Sequence, residues 1–110
     1  MIRYEVILEC SESTAPELER WMRNTHIPDM LETGCFTEIH FDQSDGRFRT
    51  VCEASDQADL DRYVAEFAER LRGDFKDRFP NGVAVSRDTW VELQDWSLPS
   101  APGAASPERA

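Results

Sequence analysis

The stretch from Trp21 to Gly34 places a histidine beside an expected break in a helix. It begins with the spacing of an amphipathic helix, but Pro28 falls where the helix should continue, which costs roughly 3 kcal/mol in a helix interior. His26 lies two residues before this proline. Its imidazole could act as a general acid or base, or donate a hydrogen bond to a ligand carbonyl. Alternatively, the ring could bond a backbone carbonyl that Pro28 leaves without a donor.

A second candidate set lies on the predicted strands. Strand alternation places Glu38 and His40 on one face of a sheet, together with Glu5, Arg47 and Arg49. The Glu38–His40 pair could line a polar cavity, and Glu5 with the two arginines could bind an anionic ligand. The alternatives are an exposed strand histidine and ordinary cross-strand ion pairs. A register shift of one residue would reverse the assignment of faces.

Aromatic side chains fall into two groups. Trp21, Tyr63 and Phe67 occupy helical spacings, which favours core packing, and Trp21 is also a candidate ligand contact. Trp90 lies on the last predicted strand and Trp96 follows it. If exposed, these two would mark a dimer contact or a ligand wall, of which the dimer contact is the preferred interpretation.

Composition excludes several classes of function. The chain has 110 residues with 12 basic and 22 acidic side chains, so its net charge of -10 argues against nucleic-acid binding. No apolar run is long enough to span a membrane. The three cysteines, Cys10, Cys35 and Cys52, form no C-x-x-C motif and are expected to be reduced thiols. No motif supports a metal, nucleotide, flavin or haem, so we predict no metal, no cofactor and a cytoplasmic location.

Periodicity predicts six elements. Alternating residues indicate strands at 2–9, 35–41, 47–54 and 83–93, with Asp45-Gly46 as a hairpin turn. One helix is predicted to begin at a capping box of Thr14 and Glu17, and to end at Pro28 or restart there as a short turn before Gly34. A second helix is predicted from Ser55 or Asp56 to about residue 79. Residues 96–110 are predicted to be a disordered tail after a domain at 1–95.

The order β-α-β-β-α-β predicts an α+β, ferredoxin-like fold. Two right-handed crossovers and one hairpin give a four-stranded antiparallel sheet with both helices on one face. The other face carries mixed charged and apolar side chains. It could be solvated, or it could pack against a second copy and enclose a polar cavity.

The opening strand with Tyr4, together with Trp21-Met22, His26-Ile27-Pro28, Thr33-Gly34-Cys35-Phe36 and Leu60-x-x-Tyr63, resembles a bacterial family of small domains of unknown function. The resemblance covers residues 1 to about 94. That family belongs to the dimeric α+β barrel superfamily, which implies a homodimer. His26-Ile27-Pro28 is also similar to an element of EthD-type barrels. Some relatives in that superfamily are cofactor-free monooxygenases, cyclases or isomerases that act on polyketide or aromatic substrates.

These observations leave three functional hypotheses. The first is a small-molecule binding protein with its ligand between sheet and helices, for which Glu5, Trp21, Glu38, His40 and Arg49 are candidate contacts. The second is a cofactor-independent enzyme that uses His26 as acid or base. The third is a structural homodimer without a ligand.

Overall fold

The computed structural model describes residues 1–99 and confirms the predicted order of strands and helices. Both predicted helices are interrupted. The elements are β1 (Ile2–Cys10), α1 (Ala15–Trp21), a π-helical segment (Met22–His26), α2 (Ile27–Glu32), β2 (Glu38–Ser44), β3 (Arg47–Ala54), α3 (Gln57–Glu66), α4 (Ala68–Arg78) and β4 (Val83–Val91). The predicted tail begins with residues 96–99, which have no regular structure, and its remainder at 100–110 lies outside the described residues.

The four strands form an antiparallel sheet in the order β2-β3-β1-β4, as a ferredoxin-like fold requires. In β1, Ile2, Tyr4 and Leu8 are buried beneath the helices, whereas Arg3 and Glu5 point to the face that the helices leave uncovered, here called the open face. The register pairs Tyr4 with Cys52 on β3. After β4, the amide of Glu92 donates to the carbonyl of Met1 at 3.0 Å, which extends this edge of the sheet.

The first helix contains a proline, and the helical turn before that proline is wider than an α-helical turn. The amide of Ile27 donates to the carbonyl of Met22, five residues back, and Pro28 then occupies the first turn of α2. Since Pro28 has no N–H and its ring crowds the preceding turn, a π turn here accommodates it without ending the helix. The helix therefore neither ends nor restarts at Pro28, and the chain stays helical from α1 through the π segment into α2. Gly34 follows the last turn with a φ of 75°, a conformation that favours glycine.

The predicted capping box was wrong. The Thr14 side chain makes no capping bond; instead its amide donates to the hydroxyl of Ser11 at 3.3 Å. The carboxylate of Glu17 is taken by Arg78 from α4. The Thr14 amide and the Glu17 carboxylate thus have other partners, Ser11 and Arg78, and do not form a capping box.

The second helix is capped as predicted but bends in the middle. The Asp56 carboxylate accepts a hydrogen bond from the Asp59 amide at 2.9 Å. Phe67, with φ of -126° and ψ of -31°, leaves the helical region and separates α3 from α4. Val64, which follows the buried Tyr63 on this helix, is 51% exposed.

Strand β2 starts three residues later than predicted. Cys35 and Phe36 are both buried, which strict strand alternation does not allow. The segment before Glu38 is therefore not part of the strand, and it packs Cys35 and Phe36 into the core. The core has two clusters, one around Tyr4, Phe36 and Tyr63 and one around Leu18, Met22 and Phe48, and Val6 packs against both.

The three cysteines are unpaired thiols, with Cys35 and Cys52 buried and Cys10 half-buried. Burial raises the pKa of the Cys52 thiol to about 12 and also raises that of Cys10. A thiolate is therefore disfavoured at both positions. In the described part of the chain, no helix combines the length and apolar character needed to cross a membrane.

Candidate functional site

A cleft lies between the buried face of the sheet and the helices. Its floor comes from β1, β3 and β4, and its roof from the first helix, α3 and α4. We call it the helix–sheet cleft, and it is lined by Tyr4, Val6, Leu8, Met22, His26, Met30, Thr50, Tyr63, Arg72, Phe75, Val85 and Arg87. Apolar walls with a few converging polar groups are typical of small-molecule sites.

The π segment explains how His26 reaches this cleft. Leu18, Met22, His26 and Met30 recur every four residues. In a regular α-helix that spacing drifts by about 40° per step, so the row would turn away from the core. The wider π turn reduces this drift and keeps the row on one face.

Aromatic rings hold His26 in place. The Trp21 ring stacks on it with centroids 4.9 Å apart and an interplanar angle of 23°. The Phe75 ring meets it edge-on at 5.8 Å. Trp21 itself packs against Phe75 and Phe79, and it supports the histidine from behind the cleft lining.

The His26 ring has no hydrogen-bond partner among residues 1–99, so the expected bond to a carbonyl near Pro28 is not seen there. Within the same residues, every fully buried side-chain nitrogen and oxygen has a partner. The ring nitrogens of His26 therefore keep some accessible surface, and the residue lines the cleft. An unpartnered polar group at a half-buried position is available to a ligand.

Burial lowers the pKa of His26 from 6.5 to about 4, while Asp29 and Asp74 act weakly in the opposite direction. The imidazole is therefore neutral at pH 7. One nitrogen can donate a hydrogen bond and the other can accept one. The arrangement suits recognition of a hydroxyl or a carbonyl.

Two tyrosines and an arginine also line the cleft. Arg72 donates to the hydroxyl of Tyr4 at 3.0 Å, and the rings of Tyr4 and Tyr63 lie 5.9 Å apart. Burial raises the pKa of Tyr63, with smaller contributions from Tyr4 and Cys52, whereas Arg72 and Arg87 act to lower it. Both guanidinium groups are thus close enough for their charge to be felt at the Tyr63 hydroxyl.

The cleft is nearly filled by its own side chains. The space left inside it is about 30 Å³, and one water needs about 10–15 Å³. A ligand larger than a few atoms would fit only if side chains of the lining itself moved, and the unbranched, flexible side chains of Met22 and Met30 are part of that lining.

The other predicted site residues lie across the sheet. On the open face, Nε2 of His40 lies 3.1 Å from a Glu38 oxygen and 3.3 Å from a Glu53 oxygen. Arg3 bridges Glu53 at 3.5 Å and Glu92 at 2.7 Å. Glu38 and Glu53 are direct cross-strand partners, so the positive charge of Arg3 beside Glu53 relieves repulsion between like charges.

Glu5 and Arg49 also form an open-face network. Arg49 lies 2.7 Å from an Asp42 oxygen and 3.8 Å from a Glu5 oxygen. The sequence-predicted residues are therefore divided between two places: His26 and Trp21 lie on the helix side, and the remaining four lie on the open face.

One group within residues 1–99 has the composition of a metal site. The ligand atoms of Glu38, His40 and Glu53 all lie within 4.8 Å of one another. Two carboxylates and an imidazole suit a divalent transition metal. Glu38 and His40 are exposed, and Arg3 already contacts Glu53, so a bound cation would compete with an existing ion pair.

Several cleft residues were missed by the sequence analysis: Tyr63 was assigned to the core alone, and Arg72, Arg87 and Thr50 were not singled out. One signal was available for Arg87, which continues the inward-facing row of Val83 and Val85 on β4. Another was the four-residue spacing that includes His26.

A family of proteins described as a domain of unknown function, DUF4286, matches residues 1–93. The chain belongs to this family. The resemblance found in the sequence to a family of unknown function is confirmed. No curated protein matches the chain.

Solved structures share the fold of this DUF4286 protein. A putative antibiotic biosynthesis monooxygenase from Deinococcus radiodurans is 12% identical, with a TM-score of 0.68 over 91% of this chain and 100% of that one. The haem-degrader MhuD from Mycobacterium tuberculosis, solved with two haems in its active site, is 12% identical, with a TM-score of 0.64 over 88% and 100%. A dimeric ferredoxin-like protein from an uncultured marine organism is 12% identical, with a TM-score of 0.61 over 89% and 100%. At these identities the likeness shows the fold alone.

Proposed function

We propose that this DUF4286 protein binds a small, largely apolar molecule in the helix–sheet cleft, with His26 hydrogen-bonded to a polar group of the ligand. The observation that carries the proposal is the unpartnered, neutral imidazole of His26 in an apolar cleft. A half-buried polar group without a partner gains more from a ligand than an exposed one, since it has already lost part of its hydration.

The enzyme hypothesis has a specific difficulty. A general acid or base works best with a pKa near the operating pH. The pKa of His26 is lowered to about 4, which makes it a weak base and leaves almost no protonated form at pH 7. Binding through hydrogen bonds is therefore favoured over proton transfer. The fold shared with a putative monooxygenase and a haem-degrader keeps a cofactor-independent reaction as the second candidate.

We also propose that the protein forms a homodimer and that the two copies associate through the open face. Trp90, near the end of β4, is 56% exposed, and Leu93 and Trp96, which follow the strand, are 95% and 80% exposed. They border a groove of about 600 Å³ on the open face. Exposed aromatic and aliphatic side chains in one patch are typical of interfaces. A structure of this fold described as dimeric adds support.

Ligand binding can be tested by a thermal-shift screen with apolar metabolites, followed by calorimetric titration of each hit. His26→Ala should abolish the upshift or weaken binding about tenfold or more. His40→Ala is the matched control, because that histidine lies on the other side of the sheet, and it should bind as the original protein does. Equal loss in both variants, or none in either, would contradict the site. Conversion of a hit to product, abolished by His26→Ala, would favour the enzyme.

The dimer can be tested by light scattering after size exclusion. The original protein should have twice the monomer mass, and Trp90→Ala combined with Trp96→Ala should shift it toward the monomer. A monomer at high micromolar concentration would refute association through this face.

A further inference from the structure

Two arginines in the helix–sheet cleft differ from most others in the chain. Neither Arg72 nor Arg87 has a carboxylate oxygen within 4.0 Å among residues 1–99. Most other arginines in that range do have one: Arg3, Arg23, Arg49, Arg62, Arg70 and Arg78. In a chain with 22 acidic residues, two guanidinium groups in one cleft without an acidic partner call for an explanation.

Arg72 lies on α4, and its guanidinium makes one hydrogen bond to an uncharged side chain. It donates to the Tyr4 hydroxyl at 3.0 Å. A guanidinium has five N–H donors in a planar fork, so most of its donors remain available. The bond to Tyr4 fixes the direction of the side chain over the cleft.

Arg87 enters from β4, opposite Val6 of β1. It stands in the row of Val83 and Val85, which faces the helices. A long side chain at such a position can extend its charged end into water, which accounts for its tolerance there. The same argument does not explain why Arg72, which lies on α4, places a second guanidinium in the lining of this cleft.

The positive charges of Arg72 and Arg87 both act on the hydroxyl group of Tyr63. Each acts on the Tyr63 hydroxyl in the direction that favours its anion. The interior beyond them is apolar, lined by Val6, Met22 and Met30. The cleft thus has a positive mouth and an apolar interior, with the neutral His26 ring among its walls.

We infer that the ligand of this cleft is an organic acid, with its carboxylate between Arg72 and Arg87 and its apolar body directed inward. The inference rests on the proposed function and names its ligand class. The guanidinium fork matches a carboxylate, with which it forms two parallel hydrogen bonds. A carboxylate is favoured over a phosphate monoester because a single charge loses less hydration at the edge of an apolar cleft.

The test uses acids paired with their primary amides, which have the same shape and no charge. Decanoate and naphthalene-2-carboxylate are titrated calorimetrically against decanamide and naphthalene-2-carboxamide, with decyl phosphate as the second anion. The acids should bind at least tenfold tighter than their amides and tighter than decyl phosphate. Their affinity should fall as salt rises.

Variants locate the effect. Arg87→Gln removes a side chain with no carboxylate partner, so the fold should be retained, and acid affinity should fall about tenfold while amide affinity stays unchanged. Arg72→Lys keeps the charge but loses the fork and should give a smaller loss. Arg47→Gln is the matched control, an arginine with no carboxylate within 4.0 Å in the described chain that lies outside the cleft; it should leave acid binding unchanged.

The outcomes separate the two proposals. Equal binding of acids and amides, both lost in His26→Ala, would overturn the acid inference and leave the binding function standing. Tighter binding of decyl phosphate would overturn the choice of carboxylate. No binding of any acid or amide would count against both the inference and the proposed function.

Discussion

The two faces of the sheet treat charge differently. On the open face, Arg3 and Arg49 each contact two carboxylates, and His40 lies between Glu38 and Glu53, the second of which also contacts Arg3. On the helix side, Arg72, Arg87 and His26 have no such partner in the described residues. Charges that satisfy one another are explained by the fold, whereas the polar groups without partners beside an apolar space are those that the proposed ligand would satisfy. Pairing therefore distinguishes the proposed ligand-binding residues from the residues of the open face, although both sets contain arginine and histidine.

The largest expected difference between the faces concerns packing. Leu8 and Ile7 are neighbours on β1, but Leu8 is 2% exposed beneath the helices and Ile7 points to the open face. Leu8→Ala should lower the free energy of unfolding by about 2–5 kcal/mol, because it leaves a cavity. Ile7→Ala should lower it by about 1 kcal/mol or less. Urea denaturation measures both, and similar losses would show that the open face is as well packed as the other.

The next effect is the pH dependence of stability due to His26. Its pKa is lowered to about 4 in the folded protein, so between pH 6.5 and 4 the unfolded chain binds more protons than the folded one. Stability is therefore highest above pH 6.5 and falls as pH decreases, by up to about 3 kcal/mol at pH 4. The measurement is urea denaturation at several pH values in this window.

His26→Gln removes the titrating group and should flatten the profile over that window. The His40→Gln control should retain the full slope. An unchanged slope in His26→Gln would show that the imidazole is solvated rather than held in the cleft.

The smallest effect belongs to the exposed ion pairs. Arg49→Gln should change the free energy of unfolding by about 0.5 kcal/mol, since exposed ion pairs contribute little. The change should shrink in 0.5 M salt because the pair is screened. A double-mutant cycle with Asp42→Asn isolates the coupling, and a coupling above about 2 kcal/mol would contradict the description of Arg49 and Asp42 as an exposed ion pair.

The fold was accessible from the sequence because alternation and helical spacing are local. Ile2, Tyr4 and Leu8 reveal the inward face of β1 without any knowledge of its neighbours. The break at Phe67 and the late start of β2 were not predictable in this way. They depend on Tyr63, Phe36 and Cys35 packing into one cluster, which is a tertiary property.

The cleft was only partly accessible for the same reason. His26 stood out by its position beside Pro28. Arg72 and Arg87 are 15 positions apart on a helix and a strand, so no local sequence pattern brings them together. The partners of His40 show the intermediate case: Glu38 follows from alternation, but Glu53 requires the register of the β2–β3 hairpin.

The three native sulfhydryl groups report on the two core clusters without any engineered label. Cys35 and Cys52 belong to the cluster around Tyr4, and Cys10 borders the one around Leu18. Brief alkylation with iodoacetamide, followed by mass spectrometry, should modify Cys10 first and the other two only during opening events. A cleft-binding compound that protects Cys52 from alkylation would thereby report its own occupancy.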